Sequence, residues 1–175
     1  MPDYRENEIE EWYTQYHQTI FKFILLMVRD YQQAEDLTHE TFLKAYKFHH
    51  LYKRDSTART WLFSIAHNLT IDYLRKQKPL RFFKEVFQGK QKAEKTPENI
   101  VQIKETSHEL YQALANLKES YRKVIILRKI KGFSTKETAE ILHWSESKVK
   151  TTLFRALPAL EKELKKEVIL HEQSK

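Results

Sequence analysis

Along most of this 175-residue chain the apolar residues recur at steps of three and four, the period of helices that bury one face. Trp12, Tyr16, Ile20, Phe23, Ile24 and Met27 predict a first helix ending near Asp30. Asp30 is placed to cap a second helix that runs to about His50, burying Ala34, Leu37, Thr41, Ala45 and Phe48 and turning Glu35, Asp36, Glu40 and Lys44 outward. Leu51 to Arg59 is polar and reads as a loop. A third helix from Thr60 carries Trp61, Leu62, Ile65, Ala66, Leu69 and Tyr73 inward and reaches Arg75 and Lys76, where Pro79 is expected to end it. Lys78 to Thr106 holds Pro79, Gly89 and Pro97 among many polar residues and reads as a flexible linker, with Phe82, Phe83, Val86 and Phe87 as an apolar edge able to dock.

Periodicity returns with Leu110, Ala113, Leu114 and Leu117, then Tyr121, Val124, Ile125 and Leu127, which predicts two helices hinged at Lys118 to Ser120. Gly132 stops the chain. Ser134-Thr135-Lys136-Glu137 then forms the pattern of a capping box, so a short helix starts there. A turn at His143-Trp144 follows. Ser145 caps a last helix that buries Val149, Leu153, Ala156 and Leu157 and presents Glu146, Ser147, Lys148, Lys150, Thr151, Phe154 and Arg155. Two short helices joined this way make a helix-turn-helix, whose second helix fits a major groove. Pro158 should kink or stop that helix near Leu157.

Two glycines and four prolines leave little turn chemistry for hairpins and none for a glycine-rich phosphate loop. The fold class is therefore all-α: two small helical domains joined by a linker, the second containing the helix-turn-helix. The absence of cysteine excludes disulfides, thiolate metal sites and cysteine nucleophiles, and suits a reducing cytoplasm. The longest apolar run, Phe23 to Val28, is far too short to cross a bilayer, and the acidic N-terminus is the reverse of a secretory signal; a cytoplasmic location is expected. The net charge of +7 is unevenly spread. Residues 1–40 hold three basic and nine acidic side chains, while residues 75–95 hold eight basic and two acidic. An acidic start and a basic middle imply two surfaces for two kinds of partner.

Ala34-Glu35-Asp36-Leu37-Thr38-His39-Glu40-Thr41-Phe42-Leu43-Lys44-Ala45-Tyr46, then Thr60-Trp61-Leu62-Phe63-Ser64-Ile65-Ala66-His67-Asn68 and Ile71-Asp72-Tyr73-Leu74-Arg75-Lys76, resemble an extracytoplasmic-function sigma factor of bacterial RNA polymerase. So do Val149-Lys150-Thr151 and Phe154-Arg155-Ala156 of the helix-turn-helix. The resemblance implies three parts. Residues 1–78 would bind the clamp coiled coil of the polymerase largest subunit and melt the −10 element. Residues 79–106 would be the linker, and residues 107–175 would bind the flap of the second-largest subunit and read the −35 element. It further implies an alternative sigma factor answering cell-envelope stress, and a membrane-anchored anti-sigma partner.

Carried over position by position, the resemblance assigns polymerase binding to Asp36, Leu37, His39, Glu40 and Phe42. His39 stands where the family usually has glutamine. The −10 set is Lys53, Arg54 and Arg59 for phosphates, Ser56 and Thr57 for a base edge, His67 and Asn68 in the pocket for an unstacked base, and Arg75 and Lys76 for the backbone beyond it. Asp72 is read as an i,i+3 or i,i+4 partner of Arg75 or Lys76. Trp61 has two readings, a stacking platform or a core residue in phase with Ile65 and Leu69. The −35 set is Ser147, Lys148, Lys150, Thr151, Phe154 and Arg155. Thr152 replaces a usually basic residue, and His143 replaces the usual turn glycine and must take a left-handed conformation.

Metal chemistry is not expected. His39-Glu40 and His108-Glu109 lack the second histidine of a zinc helix, and His49 and His50 are adjacent and so point apart. No cofactor and no catalytic constellation is predicted. A stand-alone regulator or a nucleic-acid enzyme would share the basic surfaces, but the first has no use for the Ala34–Asn68 motifs and the second would need acids or a metal cluster.

Overall fold

The computed structural model describes residues 3–88 and 108–174, and every regular element among them is helical. They divide into two compact units, Met1–Lys53 with Ile65–Gln102 and Arg54–Ser64 with Ile103–Lys175.

In the first unit, α1 spans Tyr4–Val28 and starts well before Trp12 because the Asp3 carboxylate accepts from the Arg5 N–H at 3.1 Å. Its C-terminal half is buried on all sides from Phe23 to Val28, as a helix must be when neighbours surround it. Arg29 closes α1 in the left-handed region at φ 59°. The predicted cap at Asp30 is present, accepting from the Gln33 N–H at 3.1 Å, and α2 runs Tyr31–Lys47, followed by a single 3-10 turn at His49–Leu51. Packing of α2 on α1 buries Ala34, Leu37, Phe42 and Ala45. Thr38 and Thr41 are buried as well, and each hydroxyl donates to the carbonyl four residues back, Ala34 at 2.6 Å and Leu37 at 2.7 Å, so neither is left unsatisfied. Phe48, predicted inward, is exposed.

The third helix, α3, spans Ala58–Gln88, with Pro79 inside it. The proline does not end the helix as expected. The carbonyl it deprives of a donor belongs to Arg75, an exposed residue that water can serve. Residues 79–88 of the predicted linker are therefore helical, and Phe82, Phe83, Val86 and Phe87 stay exposed; the rest of the linker lies outside the described residues.

In the second unit, α4 (His108–Asn116) and α5 (Glu119–Ile125) break at the predicted hinge. One π-turn over Ile126–Ile130 then leads to Gly132 at φ 74°. Tyr111, Leu114, Val124, Ile125, Ile126, Leu127, Phe133, Ile141, Val149 and Ala156 form the core, joined by Leu62 and Phe63 from the start of α3. The capping box is complete: Ser134 Oγ accepts from the Glu137 N–H at 3.1 Å and Glu137 accepts from the Ser134 N–H at 2.7 Å. It starts α6 at Thr135–Leu142. His143 is left-handed at φ 55°, as a residue in the glycine position must be. The last helix, α7, runs Glu146–Gln173 without stopping at Pro158. Of the kink or stop expected there, the stop does not occur: Phe154, whose carbonyl loses its donor, is exposed, so the cause is the same as at Pro79.

Candidate nucleic-acid and polymerase interfaces

On α2, Asp36, His39 and Glu40 are exposed, whereas Leu37 and Phe42 are buried. The outward face of the predicted polymerase-binding set is thus the two carboxylates and the histidine. Leu37 and Phe42 act beneath it by seating α2. Asp36 accepts from the Gln32 side chain at 3.3 Å, one turn earlier. Beside His39 lies a groove of about 480 Å³ between α1 and α2, lined by Glu6, Glu10, Tyr13, Phe42, Leu43 and Tyr46 among others.

The predicted −10 set is distributed over both units. Lys53, His67, Asn68, Arg75 and Lys76 belong to the first, and Arg54, Ser56, Thr57 and Arg59 to the second. Lys53, Arg54, Asn68, Arg75 and Lys76 are exposed. His67 is 5 % exposed and sits in the interior of its unit. Arg75 donates to Asp72 at 2.6 Å, the i,i+3 partner predicted for it. Thr57 is committed elsewhere: its hydroxyl accepts from the Thr60 N–H at 3.2 Å and donates to Thr60 Oγ1 at 3.1 Å, so it caps α3. Arg59 is committed too. Its guanidinium donates to the Lys131 carbonyl at 2.6 Å and lies 3.9 Å from the Phe133 ring centroid and 5.6 Å from that of Phe63. Trp61 is half-buried, between its two readings.

The −35 set is brought together on one surface. Ser147, Lys148, Lys150, Thr151, Phe154 and Arg155 are all exposed along the first turns of α7, Phe154 by 80 %, while Val149 and Ala156 on the opposite side are fully buried. Leu153 is half-buried and Leu157 exposed, so the buried stripe is narrower than predicted. Ser145 Oγ accepts from the Lys148 N–H at 3.1 Å and fixes where the helix begins.

Two residues near this surface escaped the sequence reading. Trp144, treated there only as part of a turn, has the Lys148 ammonium 4.3 Å and the Lys123 ammonium 5.2 Å from its ring centroid. The first approach was legible as a four-residue spacing. The second, from a distant helix, left no local signal. Lys123 is buried with the Glu119 carboxylate 3.8 Å away. Burial pushes its ammonium below the usual lysine range; Glu119 opposes that shift and the positive charge of Lys148 adds to it. Among the described residues no cluster of histidines and carboxylates could hold a metal ion, and no helix is long and apolar enough to cross a membrane.

Comparison with known proteins adds sequence relationships to this geometry. Residues 12–79 match the family model of sigma-70 region 2, and residues 107–160 that of sigma-70 region 4. The chain is 37 % identical over 164 residues to the ECF RNA polymerase sigma factor SigX of Bacillus subtilis, covering 91 % of this chain and 84 % of that one. It is 36 % identical to the RNA polymerase sigma factor YlaC of the same organism, covering 91 % and 94 %. In fold it is similar to the sigma factor RpoE of Bartonella quintana, solved in complex with the anti-sigma factor NepR, at a TM-score of 0.71 and 22 % identity over 90 % of this chain and 97 % of that one.

Proposed function

This chain belongs to the extracytoplasmic-function (ECF) sigma factors of RNA polymerase, and we propose that it divides the work of that family among three surfaces of its own. The exposed carboxylates Asp36 and Glu40, with His39 between them, meet a basic helical surface of the polymerase largest subunit, its clamp coiled coil. Charge complementarity of this kind speeds encounter and sets register more than it adds affinity. Asn68 at the surface of α3, with Arg75 and Lys76 further along, receives the −10 strand. An unstacked base costs a few kcal/mol and needs a polar edge and fixed phosphate partners. Buried His67 supports that region from beneath. Lys53, Arg54 and Ser56 are assigned to the same strand, whereas Thr57 and Arg59 hold structure together. The first turns of α7 read the −35 element.

One observation carries this reading: all six residues assigned to −35 contact share the exposed side of one helix whose other side is buried in a helix-turn-helix. Residues 1–78, 79–106 and 107–175 are the corresponding functional segments, the last also seating on the flap of the second-largest subunit. Control by a membrane-anchored anti-sigma factor belongs to the same reading; the sigma factor RpoE, similar in fold, was solved with the anti-sigma factor NepR. The place of action is the cytoplasm, where the polymerase works, and catalysis belongs to the polymerase.

The test is reconstitution with purified core RNA polymerase and run-off transcription from a library of promoter fragments, beside the Asp36→Lys/Glu40→Lys double variant. Wild type is expected to form holoenzyme and initiate on a subset of fragments, and the double variant to lose association. Unchanged association of the double variant refutes the α2 surface; DNA binding without polymerase binding refutes the reading as a whole. On a selected fragment, Lys150→Ala and Arg155→Ala each weaken −35 binding by about 1–3 kcal/mol if they touch bases, or lower the salt slope by about one if they touch phosphates.

A further inference from the structure

Lys148 lies on the first turn of α7, exposed, with its ammonium 4.3 Å from the centroid of the Trp144 indole. A free lysine stem gives up rotamer entropy when it is fixed on a partner. A ring that already holds the ammonium removes part of that cost before binding, and tryptophan is the strongest such ring. The backbone that carries the indole is fixed. Its residue follows left-handed His143, its backbone N–H donates to the Ala139 carbonyl at 3.0 Å, and Ser145 beyond it caps α7.

A second cation shares the ring. The Lys123 ammonium, from α5, stands 5.2 Å from the same centroid, and Glu119 is 3.8 Å from it. Two ammonium groups at one indole repel each other, an arrangement that folding alone does not favour. An anion beside the exposed member relieves the repulsion. The outer member is Lys148, on the helix face where a phosphate backbone would pass.

We propose that Trp144 is a positioning residue for −35 binding: its indole holds the Lys148 ammonium at the start of the recognition helix, where it meets a phosphate of the promoter backbone. This rests on the reading of the α7 face as the promoter-facing one.

Holoenzyme made from the full chain and core polymerase, with a promoter fragment selected as above, provides the test, read as affinity against salt for Trp144→Leu, Trp144→Phe, Lys148→Ala and the Trp144→Leu/Lys148→Ala double variant. Lys148→Ala is expected to lower the salt slope by about one. Trp144→Leu should weaken binding about fivefold when Lys148 is present and not at all when position 148 is alanine, the size of one cation–π contact; Trp144→Phe should keep part of the affinity. A loss on Trp144→Leu that is equal in both backgrounds marks a purely structural tryptophan and overturns the proposal, as does no loss in either. If Lys148→Ala alone changes neither affinity nor slope, the α7 reading fails at that residue and the positioning role fails with it. A normal effect of Lys148→Ala with an uncoupled Trp144 overturns only the positioning role.

Discussion

The Arg59 guanidinium donates to the Lys131 carbonyl at 2.6 Å and stacks 3.9 Å from the centroid of Phe133, within the second unit. A basic residue in a basic loop thus serves as an internal clasp between the start of α3 and the turn that precedes α6. Its planar fork suits both partners at once, which a lysine point charge does not. Arg59→Ala is expected to lower the stability of this unit by about 2 kcal/mol, the sum of a charge-assisted hydrogen bond and a cation–π contact. Arg59→Lys should recover less than half of it. Denaturant midpoints of the three proteins measure this, and an Arg59→Ala midpoint equal to wild type would remove the clasp from the account.

The turn before α6 depends on Gly132 at φ 74°, where a Cβ would meet nothing within 4 Å. Any cost of Gly132→Ala is therefore conformational and should be about 1 kcal/mol. His143 occupies a similar conformation at φ 55°, but His143→Gly should change stability by less than about 0.5 kcal/mol, because the strain relieved is offset by the extra freedom of an unfolded glycine. Thermal unfolding separates the two. A larger effect at His143 than at Gly132 contradicts this assignment.

Burial holds the Lys123 ammonium below its ordinary value of 10.5. The unfolded chain then binds more protons than the folded one between the lowered value and 10.5, so this residue makes stability rise with pH across that window and costs stability below it. Lys123→Met is expected to raise the unfolding midpoint at neutral pH, with the gain shrinking as pH approaches 10.5. A gain that stays constant with pH would show that the lysine is not strained by burial.

Asn68 is exposed on α3 while its neighbour His67 is buried. Asn68→Ala should leave holoenzyme assembly and duplex binding unchanged and slow open-complex formation, followed by permanganate reactivity of the −10 thymines. Melting at the wild-type rate would sink the pocket assignment.

What was legible in the chain alone was set by interactions within three or four residues. The cap at Asp30, the capping box from Ser134 to Glu137, the left-handed His143 and the Asp72–Arg75 pair are all of this kind, and all are present. Helical periodicity likewise placed Val149 and Ala156 inside and the six −35 candidates outside. Local rules also mislead: Pro79 predicts a stop and Pro158 a kink or a stop, yet both helices continue through them, because one hydrogen bond lost at an exposed residue is outweighed by the helical bonds on either side. Tertiary structure alone decided which basic residues stay available and which become structural. Arg59 meets Lys131 across seventy-two residues of chain, and Lys123 reaches the indole of Trp144 from another helix. Charge and hydrogen-bonding capacity are written in the residue type, but the partner that consumes them is chosen by packing between distant segments, which no local pattern encodes.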